Sequence, residues 1–531
     1  GTMTAQPPRP TPPLSAADHG KLDRSLIKGV AWTGFAKWSI QIITWVTTFI
    51  VARLLTPDDY GIVAMAGVYT GILALMTEFG IGSAIVMLSD LSEDQVAQIN
   101  ALSILLGIAG FMASCAAAVP LGIFFNSPSL PQVLTVMGLG FIINSFQTVP
   151  SALLQKEHRF KALSVIGSIR AVAQSFTLVL LAWLGFRYWS LVLGVLLGSA
   201  LGAGLTFWVR RHRLAIPRLS SLKRAVKFSG QVLVTRLSWY AYSYADFVIA
   251  GRLLGQAALG SYTVAWDIAN TPLEKVTSLV GTVTPAFYAA VKEDTSALRR
   301  YLLRPIEAIA LVTFPVMLGM SLVARDAVLT LLGAKWEASI PALQLLALYA
   351  SVRSIMPLFG QVLMVIGEVG FVMWTGIISM IVLPAAFFFG SRWGIAGIAA
   401  AWVVAYPVNA VPLYWRVHQK IGLTHVEFFR TLLPAINGTV FMSLVVLASK
   451  SLLNGHFWPT AQLVIQGCPS DVPYLPQITQ MLQWFLDGHF GHGVRLVVQV
   501  ACGAFAYALT VWVFHRQRLL AFRHVFATIR Q

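Results

Sequence analysis

Five basic residues, Lys37, Arg170, Arg236, Lys275 and Arg353, and five acidic ones, Glu78, Asp246, Asp267, Glu274 and Glu307, interrupt stretches of sequence that are otherwise apolar. A charge in such a setting is costly, so it normally faces a water-filled cavity or a partner. Read as a set, the five cations are candidate ligands for an anion. An Arg grips a phosphate bidentately, and a Lys supplies a point charge. The bland readings stay open beside this one. Lys37 could snorkel to a surface, Arg170 could pair with a carboxylate on a neighbouring helix, and Arg353 could be structural. Asp267, Asn270 and Glu274 share one helical face, and Pro272 frees a backbone carbonyl between them. With Asp246 and Glu78 they could hold a coupling Na+ or H+. The alternative is that Asp246 and Glu274 neutralise Arg236 and Lys275. Arg53 and Arg252 stand at the ends of apolar stretches, where a gate salt bridge or interfacial anchoring is expected. No catalytic or metal-binding pattern accompanies these groups. The chain has no Gly-x-x-x-x-Gly-Lys-Ser/Thr, His-Glu-x-x-His, Gly-x-Ser-x-Gly or paired-Cys motif, so neither a resident cofactor nor a metal is expected.

The elements that position these groups are membrane helices. Hydrophobic residues make up 57% of the 531 and charged ones 11%, with a mean hydropathy of +0.72, too few charges to coat a soluble globule of this size. Fourteen stretches are long enough to span lipid: about 29–52, 60–86, 99–125, 130–154, 162–184, 188–209, 225–251, 258–286, 302–324, 340–366, 369–390, 393–415, 430–452 and 493–514. Residues 4–20 are Pro-rich and polar without an apolar core, so no cleavable signal is expected, and 1–24 reads as a disordered cytoplasmic tail. Cys115, Cys468 and Cys502 form no disulfide framework.

With the N-terminus inside, the cytoplasmic segments collect 25 Lys and Arg. The opposite side holds six: Arg53, Arg187, Arg252, Arg325, Lys335 and Arg392. That asymmetry sets both termini in the cytoplasm. It also accounts for the net charge of +17 without nucleic acid, because basic loops face anionic lipid.

The pattern then repeats. Ile50-Val-Ala-Arg53-Leu-Leu-Thr-Pro-Asp-Asp-Tyr-Gly61 aligns with Ile249-Ala-Gly-Arg252-Leu-Leu-Gly-Gln-Ala-Ala-Leu-Gly260 at an offset of 199. The same offset carries Lys37 onto Arg236, Ser39 onto Ser238 and Gly82 onto Gly281. Six helices per copy return the chain to the same side, so the copies are parallel, related by a pseudo-two-fold axis along the membrane normal. The expected fold is all-α and integral to the membrane. An N-lobe (25–209), a basic cytoplasmic linker (210–224) and a C-lobe (225–415) are followed by an extra helix pair (430–514) with an external loop (453–491). A basic cytoplasmic tail (515–531) ends the chain. The axis would place Lys37 and Arg236 across one cavity, roughly 12–16 Å from the cytoplasmic helix ends at about 1.5 Å per residue. His456, His489 and His492 with Asp471 and Asp487 gather around the external loop, where a solvated loop is expected rather than a metal or catalytic cluster.

Four stretches carry a family resemblance: Ala52-Arg-Leu-Leu-Thr-Pro-Asp-Asp-Tyr-Gly61, Glu78-Phe-Gly-Ile-Gly-Ser-Ala84, Ala152-Leu-Leu-Gln-Lys-Glu-His-Arg-Phe160 and Leu332-Gly-Ala-Lys-Trp336. Over roughly residues 22–430 the chain resembles the Wzx-like polysaccharide-transport flippases, of the superfamily shared with MATE drug exporters and lipid II flippases. The resemblance implies a non-enzymatic flippase of a bacterial inner membrane, moving undecaprenyl-pyrophosphate-linked oligosaccharide repeat units by alternating access. Polysaccharide polymerase machinery would be a partner. Two other readings remain: a MATE-like cation-coupled drug exporter, and a polytopic polysaccharide polymerase or ligase using 453–491, a loop longer than the family leads one to expect.

Overall fold

The structure, a computed structural model, describes residues 40–78, 81, 85, 91–157, 159–218, 233, 237, 239–281, 284–453 and 489–528. Among them every regular element is a helix. Lys37 and Arg236, the tail 1–24, the 219–224 part of the linker, nearly all of the 453–491 loop and Cys468 lie outside the described residues. So does the side chain of Glu78. Cys115 and Cys502 are free thiols.

In chain order the helices are α1 (Ile40–Leu54), α2 (Pro57–Glu78), α3 (Glu93–Phe124), α4 (Leu130–Lys156), α5 (Phe160–Trp183), α6 (Tyr188–Val209) and α7 (Ala245–Ile249), the last running into a π-turn at Ala250–Leu254. There follow α8 (Gln256–Gly281), α9 (Thr284–Ala290), α10 (Thr295–Leu331), α11 (Ser339–Arg353), α12 (Met356–Val365), α13 (Val369–Gly390), α14 (Gly394–Ala405), α15 (Pro407–Ile421), α16 (His425–Leu452) and α17 (His489–Thr528). Among the described residues ten helices are long and apolar enough to cross a membrane. This is a multi-pass membrane protein. One of the ten, Val369–Ile421, runs through α13 to α15 and covers two expected spans. The 26-residue α8 is not among the ten, because Asp267, Glu274 and Lys275 dilute its apolar character. The count of fourteen therefore stays the reading of the sequence.

Local chemistry explains where helices begin and end. Capping boxes start α3 (Ser92 with Gln95) and α16 (Thr424 with Glu427), each pairing two otherwise orphaned backbone donors. Asp294 caps α10 by accepting from the N–H groups of Ser296 and Ala297. Gly422 ends α15 in the left-handed conformation, at φ 65°.

The main apolar core joins both copies of the repeat. Leu130, Leu134 and Tyr262 with Trp336 and Trp402 are fully buried in it, alongside Ile62 and Met65 of α2. At the crossing of α2 and α8 the two backbones come close together. A Cβ at Gly61 would lie 1.9 Å from the Gln256 carbonyl oxygen, and one at Gly260 would lie 1.8 Å from that of Pro57. The offset of 199 maps Gly61 onto Gly260 and Pro57 onto Gln256, so the two contacts exchange under the repeat. Such self-complementarity is the mark of a two-fold axis.

Candidate functional site

Two ties built from repeat mates close one end of the molecule. Arg53, at the end of α1, donates from Nε to the Leu331 carbonyl at 2.9 Å and from Nη2 to the Thr330 carbonyl, at the C-terminus of α10. Arg252, in the π-turn after α7, lies over Phe124 with 5.4 Å from guanidinium to ring centroid. Its Nη1 donates to Asn126 at 3.1 Å when the Asn126 amide is turned with its oxygen inward. Phe124 and Asn126 form the C-terminal turn of α3. Each Arg thus holds the end of a helix in the opposite lobe, where unpaired carbonyls and the helix dipole favour a cation.

The Leu332–Trp336 stretch strengthens the same seal. Trp336 Nε1 donates to the Ala52 carbonyl at 2.8 Å and Lys335 Nζ to the Arg53 carbonyl at 2.5 Å, while Tyr60 meets the Trp336 ring edge-on at 5.2 Å. Gln256 links the lobes again. Its Nε2 donates to the Asp58 carbonyl at 2.9 Å, and its Oε1 accepts from Ser127 Oγ at 3.1 Å. At the opposite helix ends, the polar ties among the described residues stay within one lobe or join it to α16: Arg210–Glu157, Arg416–Glu368, Lys420–Glu368 and Arg299–Glu427.

Beyond this seal, toward the middle of the helices, the lobes part around a cavity of about 480 Å3. Its α2 wall presents Ala64, Gly67, Val68 and Gly71, one face of a helix at i, i+3, i+4 and i+7. Its other wall carries Tyr240, Tyr244 and Phe247 and then, on α8, Thr263, Trp266, Asp267, Asn270, Thr271 and Glu274. Tyr240 crosses the gap, its hydroxyl donating to the Val68 carbonyl at 3.1 Å. A Cβ at Gly71 would meet that hydroxyl at 2.0 Å, so a side chain there would displace the tie.

The sequence-selected residues fall into separate groups. Asp267, Asn270 and Glu274 come together on the cavity wall. Arg353 stands behind it and donates from Nη1 to Asn270 Oδ1 at 2.5 Å, its guanidinium 5.7 Å from the Trp266 ring centroid and 5.9 Å from that of Tyr349. Asp246 is fully buried next to Phe247, accepting from Tyr262 Oη at 2.6 Å, Trp402 Nε1 at 2.9 Å and the Phe247 N–H at 3.0 Å. Arg170 lies within the first lobe and donates to Ser199 Oγ at 3.0 Å. Lys275 is exposed and is not part of the described cavity lining. His492 of the external group lies with its Nδ1 2.9 Å from Asp326 Oδ1 of α10; Asp471 and Asp487 lie outside the described residues. Among the described residues no cluster of three or more His, Cys, Asp or Glu could hold a metal.

The sequence reading passed over the aromatic wall, Gly67 and the Asp326–His492 pair. Tyr240, Tyr244, Phe247 and Trp266 were hidden by their type, since aromatic residues in a membrane helix read as packing.

A second feature opens toward lipid. An apolar groove of about 630 Å3 runs between α10, α16 and α17, lined by Val312, Val316, Met320, Met442, Val446 and Val500 among others, with Phe49 of α1 at its side.

The comparisons with known proteins agree with this architecture. A family described as polysaccharide biosynthesis protein matches residues 50–341. The chain belongs to this family. It is 23% identical to the lipopolysaccharide biosynthesis protein WzxC of Escherichia coli K12, over 77% of this chain and 85% of that protein. It is 25% identical to the succinoglycan biosynthesis transport protein ExoT of Rhizobium meliloti, over 80% of this chain and 85% of that one. The lipid II flippase MurJ, in an inward closed conformation, superposes with a TM-score of 0.69 at 12% identity, covering 92% of this chain and all of MurJ. That likeness fixes the fold: two lobes of membrane helices with an added helix pair.

Proposed function

We propose that this protein is a flippase for lipid-linked oligosaccharides: it carries the polar head of a polyprenyl-pyrophosphate glycan across the membrane by alternating access. The observation that carries this reading is the inter-lobe cavity, closed at one end by Arg53 and Arg252, repeat mates that each reach the end of a helix in the other lobe. Unfastening that end while fastening the other would move the cavity's access from one side to the other. By the loop charges, the sealed end is periplasmic and both termini are cytoplasmic, in a bacterial inner membrane. The polysaccharide and lipid II proteins named above support the substrate class, and polymerase machinery would receive the product.

Within this reading the head group lies in the cavity and the polyprenyl chain in the apolar groove of α10, α16 and α17, where no polar group has to be desolvated. Lys37 and Arg236 would take the pyrophosphate. Asp267, Asn270 and Glu274 would take Na+ or H+, tying substrate movement to an ion gradient, and Arg353 would hold Asn270 in place. Arg53 and Arg252 are the gate. Asp246 braces the wall through Tyr262 and Trp402, and Arg170 braces the first lobe through Ser199.

Purified protein in liposomes should move a fluorescent pyrophosphate-linked glycolipid between leaflets without ATP. Absence of protein-dependent movement would overturn the reading. Normal movement by a Lys37→Ala/Arg236→Ala double variant would remove only the cation assignment. The two cavity carboxylates favour a second reading, export of organic cations, which predicts cation efflux in the same vesicles and no lipid movement.

A further inference from the structure

The described cavity lining contains no cation. It is a slot with one smooth wall and one aromatic, acid-bearing wall. The smooth wall comes from α2, where Gly67 has nothing within 4 Å of an added Cβ and so faces open space. The aromatic wall is continuous. Tyr240 and Tyr244 stack at 4.2 Å and 21°, Tyr244 and Phe247 lie 5.6 Å apart, and Phe247 meets Trp266 at 5.7 Å. Trp266 is braced from behind by Trp402 at 5.6 Å and by the Arg353 guanidinium, so it is held as a rigid platform. Next to it Asp267 and Glu274 keep accessible surface, and neither makes an ion pair among the described residues. Thr263 and Thr271 add hydroxyls to the same wall.

A flat aromatic platform with carboxylate and hydroxyl acceptors at its edge, facing a wall without side chains, suits the faces and edges of a sugar ring. The C–H face of the ring lies on the aromatic surface, and its hydroxyls donate to the carboxylates. Small-ligand sites of about 300–1,000 Å3 usually combine such an apolar body with a few placed polar groups. Two carboxylates in a confined slot also repel a like charge, and a site gains selectivity from such repulsion as much as from attraction.

Building on the flippase reading, we propose that this slot selects the sugar of the head group, admitting neutral and amino-bearing rings and rejecting uronate-type acidic ones. Trp266 and Tyr244 form the platform, Asp267 and Glu274 provide the charge filter, and Gly67 sets the width. The anionic pyrophosphate lies outside the slot, so the filter acts on the sugar alone.

The test uses full-length protein in liposomes and two fluorescent polyprenyl-pyrophosphate lipids, one carrying a single glucose and the other a single glucuronate. The glucose lipid should move faster by roughly tenfold or more, the ratio that a like-charge clash produces. Assayed without an ion gradient, so that loss of the coupling site does not decide the rate, an Asp267→Asn/Glu274→Gln double variant should compress the glucose-to-glucuronate ratio. Gly67→Leu projects a side chain into the slot from a position whose Cβ meets nothing within 4 Å, so it should slow both lipids, and a melting temperature at the wild-type value shows that the fold is kept. Equal wild-type rates for the two lipids would overturn the selectivity and leave the flippase reading intact, as would an unchanged ratio in the double variant. Movement of neither lipid by the wild type would overturn both.

Discussion

Gly61 and Gly260 lie at one crossing, each with its α-carbon against the backbone of the other's helix, so that neither position has room for a methyl group. Because the two contacts exchange under the 199-residue offset, alanine at either site should do equal damage. Gly61→Ala and Gly260→Ala are each expected to destabilise the purified protein by about 1–3 kcal/mol, the usual range for overpacking a fitted contact. Gly67→Ala, on the same helix as Gly61 but facing open space, should leave the melting temperature unchanged or raise it slightly, because Ala is the better helix former. Differential scanning fluorimetry in detergent separates these outcomes. A wild-type melting temperature in Gly260→Ala would show that the lobes do not cross there.

This crossing also shows which features of the fold could be read from sequence. Gly61, Arg53 and their mates recur because a two-fold interface makes the same demand twice, and a demand made twice leaves a visible repeat. The charged set was legible for a related reason, since each ionised group in an apolar stretch needs an account. Spacing alone put Asp267, Asn270 and Glu274 on one face, where the structure has them. Spacing did not reveal that Arg353 comes from 83 residues away to bond Asn270, or that Asp246 is sealed between Tyr262 and Trp402. Those are contacts between helices, and a helical period carries no information about a neighbour. The aromatic wall was illegible because Trp and Tyr serve lipid anchoring, core packing and ligand platforms with the same chemistry.

The Arg53 and Arg252 ties predict how the gate responds. Arg53 is exposed, so its hydrogen bonds to the α10 carbonyls are worth about 1–2 kcal/mol, below the full range for charge-assisted bonds. Removing them should shift the population toward a state open at that end by several-fold. In a background lacking Cys115, Cys468 and Cys502, Thr263→Cys should react faster with a membrane-impermeant maleimide from the periplasmic side once Arg53→Ala is added. Arg252→Ala should act in the same direction. Opposite or absent effects of the two variants would sink the idea of a reciprocal gate.

At the other end, Glu368 provides a pH-dependent tie. It lies outside the spans, between α12 and α13. Hydrogen bonds from Lys420, at 2.5 Å, and from Arg416, at 2.8 Å, hold its carboxyl below the usual glutamate range. With a folded-state pKa below the unfolded one, the tie contributes fully above the unfolded value and is lost as pH falls through the folded value. Wild type should therefore lose stability on acidification relative to Glu368→Gln, and the two curves should converge at the acid end. A stability gap that persists below the folded-state pKa would mean that the tie does not depend on the carboxylate charge.

Beside the Lys450–Leu322 and Tyr507–Leu311 carbonyl bonds, a buried carboxylate ties the extra helix pair to α10. Asp326, 4% exposed on α10, accepts from Gln499 Nε2 at 3.1 Å and lies 2.9 Å from His492 Nδ1. Both partners belong to α17, so this carboxylate joins α17 to the lobe along one side of the apolar groove. Asp326→Ala leaves the amide of Gln499, a residue with no exposed surface, without its acceptor, at a cost of about 1–3 kcal/mol. His492 is 28% exposed at its side chain and can turn to water, so His492→Gln should cost less. Hydrogen–deuterium exchange over residues 491–500 reads the effect directly. Exchange should rise sharply in Asp326→Ala and only modestly in His492→Gln. If α17 closes the groove around a lipid chain, a polyprenyl phosphate added to the wild type should slow exchange in the same segment, and the Asp326→Ala variant should lose that protection. Equal protection in both would mean that the groove binds the chain without help from this tie.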